Sequence, residues 1–229
     1  EETKNEVKKV QVITIECEEE KAYYSQVAAH NVLTYNGLSA NWSAVGCLNF
    51  FSQKELIEEI LKAGMLAPSS KNRQPWHFIV TTGSAKEQVL KAMEAGLKRE
   101  EKQPFLPESA PYLDGARATL KIMKEAPVII FITDPLASPM DQPLAIDERV
   151  SEICNAQSMG AAIENMTLAA TELGLGSLWI CNTFFAQEEL NHWLNADGQL
   201  YAALAVGYAD EAPAPRPRRK AELTVEWRK

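Results

Sequence analysis

The fold of this 229-residue chain is decided by the stretch Ala-Pro-Ser-Ser-Lys-Asn-Arg-Gln-Pro-Trp, residues 67–76, here called the first motif. It lies between an amphipathic helix that is predicted to end before Pro68 and a predicted strand at 77–82. Such a junction concentrates unpaired backbone groups and short polar side chains, as recognition of a planar, hydrogen-bonding ligand requires. Asn72 and Gln74 each offer a donor and an acceptor, which suits the edge of a pyrimidine-like ring. Composition alone would equally allow a polar connector that satisfies a turn.

A second candidate site is the stretch Leu-Gly-Leu-Gly-Ser-Leu-Trp-Ile, residues 173–180, here called the second motif. It follows a helix that is predicted over 151–173 and is rich in small residues, which allows close packing against another helix. Glycines at a helix-to-strand junction let backbone N–H groups approach a ligand without obstruction by a Cβ atom. The alternative is that these glycines form only a helix C-cap. We predict that Trp179 belongs to the core.

A third feature is the basic segment Arg-Pro-Arg-Arg-Lys, residues 216–220, in an otherwise acidic chain. A phosphate monoester carries close to two negative charges near neutral pH, and arginine can bind it through two parallel hydrogen bonds. The alternative is a solvated basic tail.

The remaining pattern predicts long helices interleaved with a few strands, which indicates an α+β fold built as a three-layer α/β/α sandwich. Ser52 and Glu55 form a candidate capping box for the first helix, and Ser84 is a candidate cap for the second. Residues 101–115 contain three prolines and are predicted to form a loop or lid. The other elements are strands at 128–133, 178–181 and 201–208 and a helix at 187–194.

Composition excludes several classes of function. A net charge of −8 and a pI near 5.1 provide no broad attraction for nucleic acid or an acidic membrane. The four cysteines form no Cys-x-x-Cys pair, so we expect no zinc site, and their scattered positions are typical of a reducing compartment. There is no apolar run of about 18 residues. We expect a soluble, cytoplasmic protein without a metal, a membrane partner or a nucleic-acid partner.

The motifs resemble those of a known family. Ala-Pro-Ser-x-x-Asn-x-Gln-Pro-Trp followed by a strand is similar to the flavin-binding signature of the nitroreductase family. The second motif resembles that family's second signature, in the same order and at similar spacing, and the closing Glu-Trp-Arg at 226–228 is similar to its ending. The resemblance covers about residues 52–229.

The resemblance implies a nitroreductase-like FMN-binding domain over 51–229, with a mostly antiparallel central sheet. It implies a homodimer with one FMN in each of two interface sites, contacted by both subunits, and the helix at 151–173 is the candidate interface helix. Arg216 and Arg218 are expected to reach the phosphate. The backbone at Cys181 and Asn182 is expected to face the flavin N5 and O4 edge, although the family often has glycine where Asn182 stands. The expected cofactor-binding residues are Pro68, Ser69, Ser70, Asn72, Gln74, Gly176, Cys181, Asn182, Arg216 and Arg218.

The implied function is FMN-dependent oxidoreduction. NAD(P)H as co-substrate would reduce the flavin, which would then reduce a nitroaromatic, quinone or related small-molecule acceptor in a ping-pong reaction. No catalytic side chain is required, and His30, His77 and His192 are interpreted as packing or surface residues. Phe105 and Tyr112 are expected to shape the acceptor pocket. Relatives that use reduced FMN for reductive dehalogenation or oxygen-dependent flavin cleavage are a further alternative.

Residues 1–50 form an atypical N-terminal segment, in which only 10–15 reads as a strand. The family normally carries Arg-Arg-Ser-x-Arg ahead of its first core helix, whereas residues 38–51 contain no arginine or lysine. Each lost charge-assisted contact would cost roughly 1.5–3 kcal/mol. A non-catalytic or vestigial flavin-binding dimer is therefore the alternative function. Codons exist for residues 42–46 that spell Gly-Arg-Arg-Ser one base later, so we hypothesise that this segment is frame-shifted or replaced.

Overall fold

The computed structural model describes residues 50–210 and 214–228, with side chains from Lys54 onward. The predicted strand at 10–15 lies outside these residues, and so does most of the segment 38–51 that lacks arginine and lysine. The helices are α1 (Phe50–Met65), α2 (Gly83–Lys102), α3 (Leu113–Glu125), α4 (Ile146–Glu172) and α5 (Gln187–Leu194). The strands are β1 (His77–Thr81), β2 (Val128–Asp134), β3 (Gly176–Ile180) and β4 (Gln199–Gly207). Single 3-10 turns occupy Ser70–Asn72, Ala110–Tyr112, Asn182–Ala186 and Ala221–Leu223.

The four strands form one sheet in the order β1-β2-β4-β3, and every neighbouring pair is antiparallel. All seven residues of β2 are buried. A strand that is covered on both faces needs apolar residues at successive positions, which explains the unbroken run Val-Ile-Ile-Phe-Ile from Val128. The prediction of a mostly antiparallel central sheet is confirmed.

Helices cover both faces of the sheet. Ile129 and Phe131 of β2 point to one side, into a core shared with α2, α3 and α5. Ile130 and Ile132 alternate to the other side, where α1 and α4 pack. The predicted three-layer α/β/α sandwich is therefore confirmed.

One irregularity interrupts this alternation. Ile132 pairs with Ala202 but Thr133 pairs with Leu200, so Tyr201 is an extra residue in β4. Its ring packs on the side of α1 and α4, and its buried hydroxyl has no hydrogen-bond partner among the described residues. Burial, together with the nearby carboxylates of Glu152 and Asp134, raises the pKa of Tyr201 to about 12.

The two predicted caps are wrong. Helix α1 already includes Phe50, so Ser52 is a helical residue and not the N-cap. Helix α2 begins at Gly83, whose φ of +50° turns the chain from strand into helix, and the extended N-cap is Thr82. Ser84 is therefore a helical residue.

Three further differences concern α3, α4 and β3. No helix is predicted after the proline-rich loop, yet α3 forms and buries Leu113, Ala116, Leu120 and Met123 at helical spacing. Helix α4 starts at Ile146 and not at the predicted 151. At this start the Glu148 carboxylate accepts the Ala145 N–H at 2.8 Å. Trp179 lies on the edge strand β3 and is 39% exposed, so the prediction that it belongs to the core is wrong.

Candidate functional site

The first motif forms a loop in which three residues adopt a left-handed backbone. Lys71, Asn72 and Gln74 have φ values of +54°, +53° and +49°. Asparagine tolerates this region well, but lysine and glutamine do so at a cost of about 1 kcal/mol or more each. A segment of this kind persists only where surrounding contacts fix it, and such segments concentrate at functional sites.

Two serines supply the fixing contacts. The Ser69 hydroxyl oxygen accepts the Gln74 N–H at 3.0 Å and closes the loop. The Ser70 N–H donates to the Ser158 Oγ at 3.3 Å, and the Ser158 hydroxyl donates in turn to the Cys154 carbonyl at 2.7 Å. The loop is thereby attached to the middle of α4. Pro68, the remaining predicted contact residue here, is exposed beside it.

The loop presents a matched pair of amide groups. The Gln74 Nε2 donates to the Asn72 Oδ1 at 3.1 Å, so the structure brings together the two predicted ring-reading side chains. Both are exposed. Among the described residues no partner is found for the Asn72 Nδ2 donor or the Gln74 Oε1 acceptor. A donor and an acceptor held side by side can bind the N–H and C=O edge of a planar heterocycle.

The second motif divides into a structural part and a candidate binding part. Gly174 has a φ of +75° and ends α4 in a Schellman motif, because the Leu175 N–H donates to the Ala170 carbonyl and the Gly174 N–H to the Thr171 carbonyl. The C-cap interpretation therefore holds for Gly174. Gly176 instead opens β3, where it pairs with Gly207 of β4.

Cys181 and Asn182 follow β3 at the start of a 3-10 turn. Cys181 is exposed, and partial burial of its thiol raises the pKa, so the sulfur is protonated at neutral pH. The Asn182 Nδ2 donates to the Thr119 Oγ1 at 2.8 Å, which ties this turn to α3. Asn182 thus uses its amide donor internally and retains its backbone for any ligand.

Sheet order separates the two motifs within one chain. The first motif and the turn after Ile180 lie toward the same end of the sheet, because His77 pairs with Thr133 of β2 and Ile180 pairs with Ala203 of β4. Gly176 pairs with Gly207 at the opposite end, so the structure does not bring it together with the first motif. However, β1 and β3 are the two edge strands, with β2 and β4 between them. Three strand spacings of about 4.8 Å put them roughly 14 Å apart.

Surface apolar residues surround this arrangement. Helix α4 exposes Ile146, Val150, Ile153 and Leu168, which recur along one side of the helix. The tail exposes Leu223, Val225 and Trp227, the last at 85%. Scattered exposed apolar residues are ordinary, but an aligned stripe indicates a surface that another protein covers.

The basic segment is also exposed. The Arg218 Nη1 donates to the Arg216 carbonyl at 3.1 Å, and neither guanidinium has a carboxylate partner among the described residues. Both arginines are therefore available to an anion.

A buried ionic network holds the proline-rich loop, here defined as residues 103–112. The Glu100 side chain is fully buried and accepts the N–H groups of Phe105 at 2.8 Å and Leu106 at 2.9 Å. Arg99 joins Glu100 to Glu189 of α5 and donates to the Phe185 carbonyl. The loop that carries the exposed Phe105 and Tyr112 is thereby fixed against the turn that follows Cys181.

Sequence reasoning missed Ser158 and Glu100. Ser158 occupies the buried face of α4, at helical spacing from Ala162, Met166 and Ala170. A hydroxyl at such a position requires a partner, and this signal was available in the sequence. Glu100 carries no comparable local signal, because its partners lie in an irregular loop.

Two classes of site are not found in the part of the chain that the structure describes. No cluster of three or more histidine, cysteine or acidic side chains could hold a metal ion there. None of the described helices is long and apolar enough to cross a membrane. His77 and His192 are both exposed.

Comparison with known proteins places these features in context. The family model described as the nitroreductase family matches residues 53–208. A relative from Archaeoglobus fulgidus, provisionally named NADH dehydrogenase/NAD(P)H nitroreductase, is 33% identical over 126 residues, which are 55% of this chain and 54% of the relative. The provisionally named NAD(P)H nitroreductase YdjA of Escherichia coli K12 is 28% identical over 128 residues, 55% of this chain and 59% of that protein. The matches thus span little more than half the length of these curated relatives.

Solved structures share the fold. The FMN-dependent nitroreductase NfnB from Mycobacterium smegmatis, solved with NADPH, has a TM-score of 0.64 at 17% identity, over 90% of this chain and 100% of that one. A BluB-like flavoprotein from Clostridium difficile 630 has a TM-score of 0.62 at 23% identity, over 93% of this chain and 100% of that one. At these identities the likeness concerns the fold.

Proposed function

This chain belongs to the nitroreductase family, and from that membership we propose that it is an FMN-dependent oxidoreductase. In this proposal NAD(P)H is the co-substrate, and nitroaromatic, quinone or related small molecules are the acceptors. The names of the relatives support the reaction class, and the solved NADPH complex with the same fold supports the choice of co-substrate. Residues 51–229 would form the FMN-binding domain.

The observation that carries this proposal is the strained amide loop. Asn72 exposes a donor and Gln74 an acceptor for which the described residues provide no partner, and the two amides are bonded to each other. Three left-handed residues fix the backbone that carries them. The pyrimidine edge of a flavin presents an N–H between two carbonyl groups, so it can accept from Asn72 and donate to Gln74. The residues present therefore fit FMN, and Ser69, Ser70 and Pro68 would support the same edge.

The site would be completed by a second copy of the chain. Within one copy β2 and β4 separate the two edge strands by roughly 14 Å. If two copies associate through the α4 stripe, the first motif of one copy can face Cys181 and Asn182 of the other, whereas Gly176 lies at the far end of β3. The exposed apolar residues of α4 and the tail supply the contact surface. A homodimer with FMN at its interface follows.

The phosphate would be bound by the basic segment. Arg216 and Arg218 are exposed, lack carboxylate partners among the described residues and match the doubly charged phosphate of FMN. An arginine at each position can bind in the planar, two-bond geometry that lysine cannot reproduce.

FMN, when bound, would supply the hydride- and electron-transfer chemistry. The chain would orient the ring and control what reaches it. Neither motif contains a carboxylate or a histidine, and the raised pKa of the Cys181 thiol keeps that side chain neutral. Backbone N–H groups near the ring would favour its anionic reduced form. Phe105 and Tyr112, on the fixed proline-rich loop, would line the acceptor side.

A non-catalytic flavin-binding dimer is the second candidate, and one observation favours it. Residues 38–51 contain no arginine or lysine, whereas the family normally has a basic motif ahead of the first core helix. Loss of two or more phosphate contacts would weaken FMN binding by several orders of magnitude.

Substitution of Asn72 tests the proposal. Asn72→Gly keeps the left-handed backbone but removes the amide, so FMN affinity should fall about tenfold, the equivalent of one hydrogen bond. Asn195→Gly is the matched control, because Asn195 also has a positive φ, +45°, at the end of α5. FMN binding is measured by quenching of flavin fluorescence, and turnover by NAD(P)H oxidation. Flavin binding without NAD(P)H oxidation would favour the non-catalytic alternative, and equal affinities for both variants would contradict the placement of the ring.

A further inference from the structure

Lys71 and Arg73 are two cations for which the described residues provide no partner. Arg99, Arg117 and Arg149 all bond to carboxylates, and most helical lysines do the same. Lys71 and Arg73 are exposed and make no ion pair or side-chain hydrogen bond within the described residues. Their charges are therefore fully available.

The surrounding sequence keeps negative charge away from them. The chain has 31 acidic residues, yet none falls between Ile60 and Lys86. The segment from Gly174 to Gln187, which contains the second half of the site, also has none. Sequence segments without acidic residues carry a local positive balance in a chain of net charge −8 and favour anions over cations.

The backbone holds these two cations at the mouth of the proposed site. They flank Asn72 directly, and Lys71 itself adopts a φ of +54°, where glycine or asparagine would be less strained. The bonds of the loop to Ser69 and to Ser158 of α4 fix their Cα positions. A surface lysine that needed only solvent would gain nothing from this placement.

We propose that Lys71 and Arg73 bind a phosphate of the nicotinamide dinucleotide co-substrate. This inference rests on the proposed function. The phosphate of FMN hangs from a ribityl chain on the central ring and not from the pyrimidine edge that Asn72 would read. Cations on either side of Asn72 would therefore contact a second ligand that stacks on the flavin ring. A nicotinamide dinucleotide is such a ligand, because its phosphates extend away from the stacked nicotinamide. Lys71 supplies a mobile point charge, and Arg73 supplies a planar two-bond contact.

The double variant Lys71→Gln/Arg73→Gln tests this with two hydride donors. NADH and NADPH carry phosphates, whereas 1-benzyl-1,4-dihydronicotinamide has the same reactive ring without them. We expect the KM for NADH or NADPH to rise about tenfold to a hundredfold, from the loss of two charge-assisted contacts. The kcat/KM with the benzyl compound and the Kd for FMN should stay within about twofold. The KM of the unaltered protein should also rise with salt, and that of the variant should not.

Lys91→Gln/Lys102→Gln is the matched control, because both lysines are exposed on α2 and have no acidic partner among the described residues. It should leave every constant unchanged. An unchanged KM for NADH and NADPH in the Lys71/Arg73 variant would overturn the inference. So would a rise in the Kd for FMN with no change in those KM values, since that would assign the cations to the flavin phosphate. If the unaltered protein binds FMN but neither donor reduces it, the proposed function itself fails, and this result is distinct from both.

Discussion

The backbone amide of Ser70 donates to the hydroxyl oxygen of Ser158 at 3.3 Å, across 88 positions of sequence. This bond joins the strained amide loop to α4, the helix whose exposed stripe is the candidate dimer interface. The geometry of the ring-reading amides and the association of two copies thus depend on the same helix.

Removal of that hydroxyl should therefore loosen the loop. In Ser158→Ala the Ser70 N–H loses its acceptor, and we expect the free energy of unfolding to fall by about 1 kcal/mol. FMN affinity should also fall several-fold, even where the variant is fully folded, because the left-handed residues are no longer fixed. Urea unfolding and flavin titration measure the two effects. Ser151→Ala, on the same helix and without a described side-chain bond, is the control, and equal behaviour of the two variants would refute this role.

Gly96 marks a close approach that fixes the turn after Cys181. A Cβ at Gly96 would lie 2.2 Å from the Cβ and 2.4 Å from the Cα of Ala186. Gly96→Ala should therefore destabilise the protein by about 1–3 kcal/mol or more through overpacking of α2 against this turn.

Gly115 provides the opposite case for the same substitution. It lies in α3, and an added Cβ there would meet no atom within 4 Å. Gly115→Ala should stabilise the protein by about 0.5–1 kcal/mol, because alanine loses less backbone entropy in a helix. Thermal unfolding compares the two variants, and a destabilised Gly115→Ala would contradict the open space around Gly115 in α3.

Much of this arrangement could be predicted from local sequence. Helix α5 was predicted with its observed bounds, 187–194, and the buried strand β2 to within one residue. The first motif was correctly placed between a helix and a strand, because Pro68 and the β-branched run after Trp76 are local signals.

Other features depend on tertiary contacts that no local pattern contains. Helix α3 was missed because it follows three prolines and carries Gly115, although Leu113 and Leu120 face the core. Trp179 has the composition of a core strand, but its position on an edge strand leaves it exposed. The link from Ser70 to Ser158 and the buried state of Glu100 follow only from the folded chain.

Glu100 should make stability depend on acid. Burial opposes ionisation of this carboxyl, but the N–H groups of Phe105 and Leu106, the Ser109 hydroxyl and Arg99 outweigh it and lower its pKa. A lowered folded-state pKa means that the stabilisation is complete above the unfolded value of about 4.3 and is lost as pH falls through the folded value.

Glu100→Gln should reduce the free energy of unfolding by about 1–3 kcal/mol at pH 7, because a neutral amide replaces the buried carboxylate that accepts from Arg99 and from two backbone N–H groups. The unaltered protein should lose stability as the pH falls from about 5 to about 3. This loss should be smaller in the variant. Glu101→Gln is the control, since Glu101 pairs with Arg117 at the surface and should contribute little. Parallel acid profiles for Glu100→Gln and the unaltered protein would contradict this assignment.

The α4 stripe should control association. Ile153→Glu places a charge in the centre of the stripe, so we expect it to convert a dimer to a monomer and to abolish FMN retention. Sedimentation velocity and the flavin content of the purified protein check both outcomes. Gln88→Glu adds the same charge to exposed α2 on the other face of the sheet and should change neither. A dimeric, flavin-bound Ile153→Glu protein would place the interface elsewhere.

The visible absorption spectrum of the purified full chain tests the central claim most directly. It is recorded after incubation with FMN and removal of unbound flavin, before and after anaerobic addition of NADPH or NADH. We predict flavin absorption that bleaches on addition of either nucleotide, which would show a working flavoenzyme despite the absence of basic residues at 38–51. A protein that stays colourless after FMN is supplied would contradict the proposed function.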